Sequence, residues 1–315
     1  GPATGMPTWT EQGDLLFAVH GGHGEFPKIV LTPGDPTEMF ELTQKAFDLA
    51  DIYQTPVIIV SDKFLSESHT SVATSKLKDF ENNHQLDRGK IVSASKQKEY
   101  LRYKESEDGI SEMLVPGQKG IFYQANSYEH LEDSHTTEDG DERIKQVTKR
   151  NAKQDTYLNN HFEPPVVLGD PKANTVLVSY GSTKGSIADA IELIDTPVAH
   201  IHFTHMYPLD SDAIHKVFKP YEGKRIIWVE NNSHAQGAQL LRMHTGINIE
   251  EKLLKFDGRP FWPEEIASYV ADKTSPAPAK APAPVPPVPS ISIPSPVEHT
   301  KQKQALMDKL AKEMA

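Results

Sequence analysis

Hydroxyls and carboxylates crowd the first fifteen residues, Gly1-Pro2-Ala3-Thr4-Gly5-Met6-Pro7-Thr8-Trp9-Thr10-Glu11-Gln12-Gly13-Asp14-Leu15. Three glycines and two prolines share the segment, and its apolar residues recur at neither the helical nor the strand period. That composition fixes a loop that presents polar groups and does not fill a core. A threonine hydroxyl on backbone preset by Pro7 can donate to a carboxylate or a keto oxygen, which singles out Thr8; the same side chain can also cap a turn. Thr4 and Gly5 lie on the same loop and are expected to approach the same ligand. Glu11 and Asp14 can orient the loop or move protons, but acidic residues here read first as caps of a following helix.

His20-Gly21-Gly22-His23-Gly24 offers further chemistry. A histidine pair three residues apart can bind a metal, yet the surroundings are glycine and no third ligand stands nearby, so no metal site is expected. A glycine-rich turn bearing ionisable imidazoles at an active site, and a tight turn with solvated histidines, both remain open. Gly181-Ser182-Thr183-Lys184-Gly185 joins a strand to a helix, where anions are attracted, but it lacks both the Walker spacing and GxGxxG, and is read as structural. Glu230-Asn231-Asn232 ends a strand and either brackets a ligand at the carboxyl edge of a sheet or caps the next element; the capping reading is preferred. No side chain is assigned a catalytic role.

The elements that must position these groups are legible in part. Residues 28–62 read as strand, helix, strand. Asp35 can cap, Pro36 suits the first helical position, Glu38 completes a capping-box spacing, and Met39, Leu42, Ala46, Leu49 and Ala50 recur at helical spacing. Val57 to Val60 is an apolar run suited to a strand buried on both faces, so the unit is βαβ and its sheet parallel. Residues 66–163 are polar and irregular apart from a helix around 141–160, and so long a connection is functional or docks on a partner. Glu163-Pro164-Pro165 resembles a linker. The βαβ rhythm returns with strands at 176–178, 198–203 and 225–229, and helices at 187–194, 210–218 and 235–243. Nine prolines fall within residues 276–297, an extended spacer, and Leu306, Met307, Leu310 and Met314 form one stripe of a terminal helix that either frays or docks on a partner. The division expected is 1–163 for a first domain with a long insert, 164–272 for a second, 273–297 for a linker and 298–315 for the helix.

Composition removes other classes. The 315 residues carry a formal net charge of −11, which argues against a nucleic-acid surface. No apolar run approaches the ~20 residues needed to span a bilayer, so a cytoplasmic protein is expected. There are no cysteines, hence no disulfides and no thiolates for an iron–sulfur cluster. The chain also starts inside its opening loop without an initiator Met, as part of a longer protein would.

The opening segment resembles the α subunit of 2-oxoacid:ferredoxin (acceptor) oxidoreductases, a thiamine-diphosphate family whose pattern runs Arg-Pro-Gly-Pro-Ser-Thr-Gly-Leu-Pro-Thr, two residues, then Glu-Gln-x-Asp-Leu. Gly1 to Thr8 and Glu11 to Leu15 match, with Ala3 in the Ser slot, Met6 in the Leu slot and the arginine falling before Gly1. The resemblance continues through His20 to Pro27, Gln54 to Lys63, Ser179 to Gly185, Val229 to Asn232 and Asp257 to Phe261. It implies an α/β fold of two doubly wound parallel-sheet domains, the later part of a pyrimidine-binding domain and a transketolase C-terminal-like domain. It implies that Thr8 helps bind a 2-oxoacid, of the 2-oxoglutarate type by preference, and that coenzyme A receives the acyl group while electrons pass to ferredoxin. Nothing here matches the family's diphosphate-binding Gly-Asp-Gly motif, and Gly140-Asp141 alone does not qualify. Thiamine diphosphate and Mg²⁺ are therefore expected to be shared with or held by a partner β subunit, and iron–sulfur clusters to lie on that partner only. A pyruvate-type relative and a catalytically empty assembly subunit are the alternatives.

Overall fold

The computed structural model describes residues 1, 4–94 and 99–272, which belong to one compact unit. In chain order the elements are α1 (Leu15–His20), β1 (Ile29–Leu31), α2 (Pro36–Tyr53), β2 (Val57–Ile59), α3 (Lys63–Ser66), α4 (Thr74–Asn83), β3 (Ile91–Val92), β4 (Met113–Leu114) and α5 (Gly140–Asn160). Then follow β5 (Val166–Gly169), β6 (Thr175–Tyr180), α6 (Thr183–Glu192), β7 (Val198–Phe203), β8 (His205–Tyr207), α7 (Ser211–Phe218), β9 (Arg225–Glu230), α8 (Gln236–Thr245), β10 (Glu251–Leu254) and α9 (Pro263–Ala271).

Two sheets organise the chain. The larger runs β10-β9-β6-β7-β5, parallel throughout except for β5, which pairs antiparallel with β7 at the edge. Its central strands are hydrophobic runs because helices cover both faces: Val176, Val178 and Trp228 pack in one core, Leu177, Ile227 and Val229 in the other. The smaller sheet is β2-β1-β8, with β1 and β2 parallel and β8 antiparallel. Since β7 passes through Thr204 directly into β8, one stretch of chain serves both sheets. Leu15, Val19 and Val30 share a core with Val178, Tyr180 and Trp228, so α1 and β1 are packed on the larger sheet.

The mixed α/β architecture with parallel sheets is as expected, with corrections of detail. The strand at 57–60 is only half-buried, because β2 is the edge of its sheet. Asp35 accepts the Glu38 amide (2.9 Å), but Glu38 turns back to the Gly34 amide (2.7 Å), so the capping box is not closed. The helix expected at 187–194 begins at Thr183 and ends at Glu192. Immediately past Pro164-Pro165 the chain forms β5, an exposed edge strand whose four residues, set between turn-forming prolines and Gly169-Asp170, are too few to show a strand period. The tail stripe at 306–314 and the proline-rich spacer lie outside the described residues.

Candidate active-site rim

Gln12 anchors the opening loop. Its Nε2 donates to the Tyr180 carbonyl (2.8 Å) at the end of β6, and its Oε1 accepts the Asn231 amide (2.7 Å) just past β9. The Gln12 amide donates to the Asn231 carbonyl (2.8 Å), and Asn232 Nδ2 donates to the Gln12 carbonyl (2.8 Å). Gln12 is 5% exposed, so each of these bonds is made out of water, where an unpaired group is costly. Only glycine fits at 181: its φ is +63°, and a Cβ there would stand 2.8 Å from Gln12 Nε2. Gln236 adds a second clasp, accepting the Leu16 amide (3.0 Å) and donating to the Gly13 carbonyl (2.7 Å).

Beneath Gln12 lies a buried carboxylate. Glu230 accepts from Tyr180 Oη (2.8 Å), Trp228 Nε1 (2.6 Å), Asn232 Nδ2 (2.6 Å) and the Gly237 amide (2.9 Å). Burial raises its pKa, and those four donors oppose the shift. Asn231 Nδ2 meanwhile donates to the Lys255 and Arg259 carbonyls (2.8 and 3.1 Å). The Glu230-Asn231-Asn232 turn therefore holds the loop and the ends of neighbouring segments.

Above this foundation the loop is exposed. Thr8 has φ 62°, a left-handed conformation that is a true outlier for a β-branched residue. Trp9 next to it is pinned by the Arg259 guanidinium 3.5 Å from its ring centroid, and Thr10 is buried. Thr4, Gly5, Met6, Trp9 and Glu11 line a hollow of about 170 Å³ with Phe256 and Gly258. Thr8 is exposed and is not part of that lining, so the structure brings Thr4, Gly5 and Glu11 together and leaves Thr8 on an outer shoulder. Asp14 occupies the cap position of α1 but makes no side-chain cap bond; its carbonyl accepts the Ala18 amide (2.8 Å).

The histidines lie elsewhere. His20 lines an open cleft of about 480 Å³ with Glu25, Lys28, Asp155 and Tyr207, while His23 is exposed on the neighbouring turn. Lys28 donates to the Gly21 carbonyl (2.7 Å), which fixes that turn. Among the described residues, no three His, Asp or Glu side chains converge as a metal site.

Lys184 is structural. It pairs with Asp35 and Glu38 at the start of α2, and His202 Nε2 lies 3.1 Å from Glu38 Oε2. Burial pushes the Glu38 carboxyl up, but His202, Lys184 and the Gly34 amide outweigh it and hold the pKa at about 2. The network bolts α2 to α6 and β7.

Gln12 is the residue that sequence reasoning missed. An isolated amide in a polar loop carries no periodicity, and its partners are 168 and 219 residues away. The quoted stretches Ser179 to Gly185 and Val229 to Asn232 nevertheless supply the groups that receive it.

Residues 1–149 match the family model described as pyruvate flavodoxin/ferredoxin oxidoreductase, thiamine-diphosphate-binding. Subunit alpha of 2-oxoacid:ferredoxin oxidoreductase 1 from Sulfurisphaera tokodaii is 35% identical over 269 residues, covering 84% of this chain and 42% of the relative. The 2-oxoglutarate oxidoreductase subunit KorA of Mycobacterium tuberculosis is 28% identical over 275 residues, 86% of this chain and 40% of its own. A solved structure of 2-oxoglutarate:ferredoxin oxidoreductase from Magnetococcus marinus, with 2-oxoglutarate, coenzyme A and succinyl-CoA bound, superposes with a TM-score of 0.73 at 28% identity, covering 86% of this chain and 46% of that one. This chain belongs to the 2-oxoacid:ferredoxin oxidoreductase α-subunit family. It spans about two fifths of the length of the first of these relatives. As members of the 2-oxoacid:ferredoxin oxidoreductase family, the relatives are oxidoreductase subunits, and the name "subunit alpha" implies companion chains. Among the described residues, no helix is long and apolar enough to cross a membrane.

Proposed function

We propose that this chain forms the substrate-facing rim of a thiamine-diphosphate-dependent 2-oxoacid:ferredoxin oxidoreductase of the cytoplasm. The reaction would be oxidative decarboxylation of a 2-oxoacid, 2-oxoglutarate by preference, with coenzyme A giving acyl-CoA, carbon dioxide and reduced ferredoxin. Support for the 2-oxoglutarate type comes from the named relatives and from the Magnetococcus marinus enzyme, which holds 2-oxoglutarate. The division at 163/164 into a pyrimidine-binding part and a transketolase C-terminal-like part belongs to the same proposal.

One observation carries the reading: Thr8 is held in a left-handed backbone on an exposed shoulder, between an anchored Trp9 and a rim containing Thr4 and Gly5. Strain of this kind costs about 1–3 kcal/mol and persists where the surroundings over-determine it, as Gln12, Thr10 and the Arg259–Trp9 stack do here. The held hydroxyl can donate to a substrate carboxylate or keto oxygen without reorganising. The rim does not fit a diphosphate–Mg²⁺ group: it offers hydroxyls, glycine backbone and the single carboxylate of Glu11, and among the described residues no three His, Asp or Glu side chains converge to hold a metal. We therefore assign the Mg²⁺ and the diphosphate end of a shared thiamine diphosphate to a β subunit, and the iron–sulfur clusters to that subunit alone. When bound, the cofactor supplies addition to the 2-oxo carbon and loss of carbon dioxide. This chain orients the oxoacid and excludes misaligned approach.

The test is Thr8→Val in the assembled enzyme. Loss of one hydrogen bond to a charged group, about 1.5–3 kcal/mol, should raise the apparent KM for the oxoacid roughly 10- to 100-fold and leave that for coenzyme A unchanged. Thr8→Gly should raise it equally while relieving the backbone. Equal effects on both substrates, or none, would remove Thr8 from the site.

A further inference from the structure

Helix α5 turns an unusual face inward. Its residues Gln146, Lys149, Arg150, Lys153 and Tyr157 recur at helical spacing along one stripe, the stripe a surface helix ordinarily fills with apolar side chains. Gln146 is 1% and Lys149 8% exposed. Lysine is almost never buried without a partner. Beside this stripe lies a hollow of about 190 Å³, closed by Arg102, Tyr103, His130 and Gln54.

The charges around the hollow do not balance. Arg150 pairs with Glu129, which takes both terminal guanidinium nitrogens at 2.9 Å and also accepts from Arg143 (3.0 Å). Arg102, Lys149 and Lys153 make no ion pair with any described carboxylate. Arg102 Nη1 donates to Gln54 Oε1 (2.9 Å), Lys149 Nζ to the Tyr103 carbonyl (2.7 Å) and Lys153 Nζ to the Gln54 carbonyl (3.0 Å). Each ammonium has three donors and each guanidinium five, so most of their donors remain for another acceptor. Tyr103 and His130 stack with ring centroids 3.7 Å apart and form a flat wall. Burial first, then the other cations of the cluster, pulls Lys149 and Lys153 down to about 8; Glu132 offsets part of this at Lys149, and burial lowers His130. The cluster is thus held together against its own repulsion, a state that an anion in the hollow would relieve.

We infer that the hollow between α5 and the 100–111 segment is a binding site for a small multiply charged oxyanion, a phosphate or the phosphoryl end of a phosphorylated metabolite. Three cations meet it from separate residues on two segments. A lone carboxylate is served by one bidentate arginine, whereas a tetrahedral dianion uses point-charge ammoniums arriving from several directions. The volume admits such a group. The site is separate from the opening rim and does not depend on the reading of Thr8.

Calorimetric titration of the purified protein, with whatever subunits accompany it, provides the test, using inorganic phosphate, sulfate, ADP and succinate against sodium chloride at equal ionic strength. Phosphate and sulfate should bind saturably. Arg102→Gln and Lys153→Met should each weaken them at least tenfold, with partial rescue in Lys153→Arg. Because bound dianion favours the ammonium form, sulfate binding at pH 8 should take up protons, seen as a heat that varies with the buffer's ionisation enthalpy. Tighter binding of ADP than of phosphate would identify a nucleotide source, and equal binding the free ion; both support the site. Binding of succinate alone, no binding beyond the chloride control, or affinities unchanged in both variants would overturn it. Should either variant misfold, sulfate-linked proton uptake in the wild-type protein still decides.

Discussion

Replacing Gln12 by alanine should loosen the whole opening loop. The substitution strips the acceptor from the Asn231 amide, which is buried, and the orphaned N–H costs about 1–3 kcal/mol. The Tyr180 carbonyl loses one donor but keeps the Thr183 hydroxyl (2.8 Å), so that loss is smaller, about 0.5–1.5 kcal/mol. Lost packing beneath the loop adds about 1 kcal/mol. The total is about 2.5–5.5 kcal/mol, borne by residues 10–14 before the rest of the fold. Urea denaturation reports the global part, and native-state hydrogen exchange at the Gln12 amide, bonded to the Asn231 carbonyl at 2.8 Å, reports the local part. Exchange there should accelerate at least a hundredfold. Gln12→Glu is the sharper probe, since it keeps an acceptor for Asn231 but sets a carboxylate oxygen against the Tyr180 carbonyl. Its destabilisation should be large at neutral pH and shrink as acid protonates the new carboxyl. A Gln12→Ala protein within 1 kcal/mol of wild type and with unchanged exchange would refute the idea that this amide anchors the rim.

Two further perturbations follow from the buried charges. Glu230→Gln keeps the shape but turns an amide NH₂ toward Tyr180, Trp228, Asn232 and Gly237, all donors; urea denaturation should show a loss of about 2–4 kcal/mol, and a loss below 0.5 kcal/mol would mean the carboxylate network is not needed. His200 and His205 are pushed down to about 3 and about 4, by burial first and by neighbouring cations second, so the unfolded chain takes up protons before the folded one. Stability should therefore fall as pH drops from about 6.5 toward 4, by up to about 1.4 kcal/mol per unit per histidine. Glu38, held at about 2, contributes stability above the ordinary carboxylate range that is lost only at still lower pH. His200→Gln with His205→Phe should flatten the slope between pH 6.5 and 4, and an unaltered slope would sink the assignment.

The repeating parts of this fold were legible because they repeat. Leu42, Ala46 and Leu49, spaced for a helix, are buried on α2, and the helix expected around 141–160 is α5. Asp139 starts α5 by accepting the Asp141 and Glu142 amides, a local interaction that needs no knowledge of the fold. Residues whose meaning lies in a distant partner were not legible. The absence of a nucleotide motif marks Lys184 as structural, but its attachment to α2 rests on partners 146 and 149 residues earlier. The polar stripe of α5 was visible as letters, yet a lysine facing inward and one facing water look alike until the neighbouring segment is in place.

The position of the opening loop accounts for a proposed rim that stands outside the crevice of the larger sheet. In doubly wound sheets ligands settle in the crevice beyond the carboxyl ends of the strands. Here the ends of β6 and β9 meet Gln12 through the Tyr180 carbonyl, the Asn231 backbone and Asn232 Nδ2. The crevice is filled by the protein's own backbone, and the exposed surface shifts outward to Thr4, Gly5, Thr8 and Trp9. On the proposed function, the residues that would bind substrate and those that hold the loop are then separated by only a few positions. Substitutions at Gln12 or Glu230 should move stability and substrate affinity together, because they release the base. Thr8→Val, which keeps the branched side chain on the same backbone, should move affinity alone, because the base stays docked beneath it.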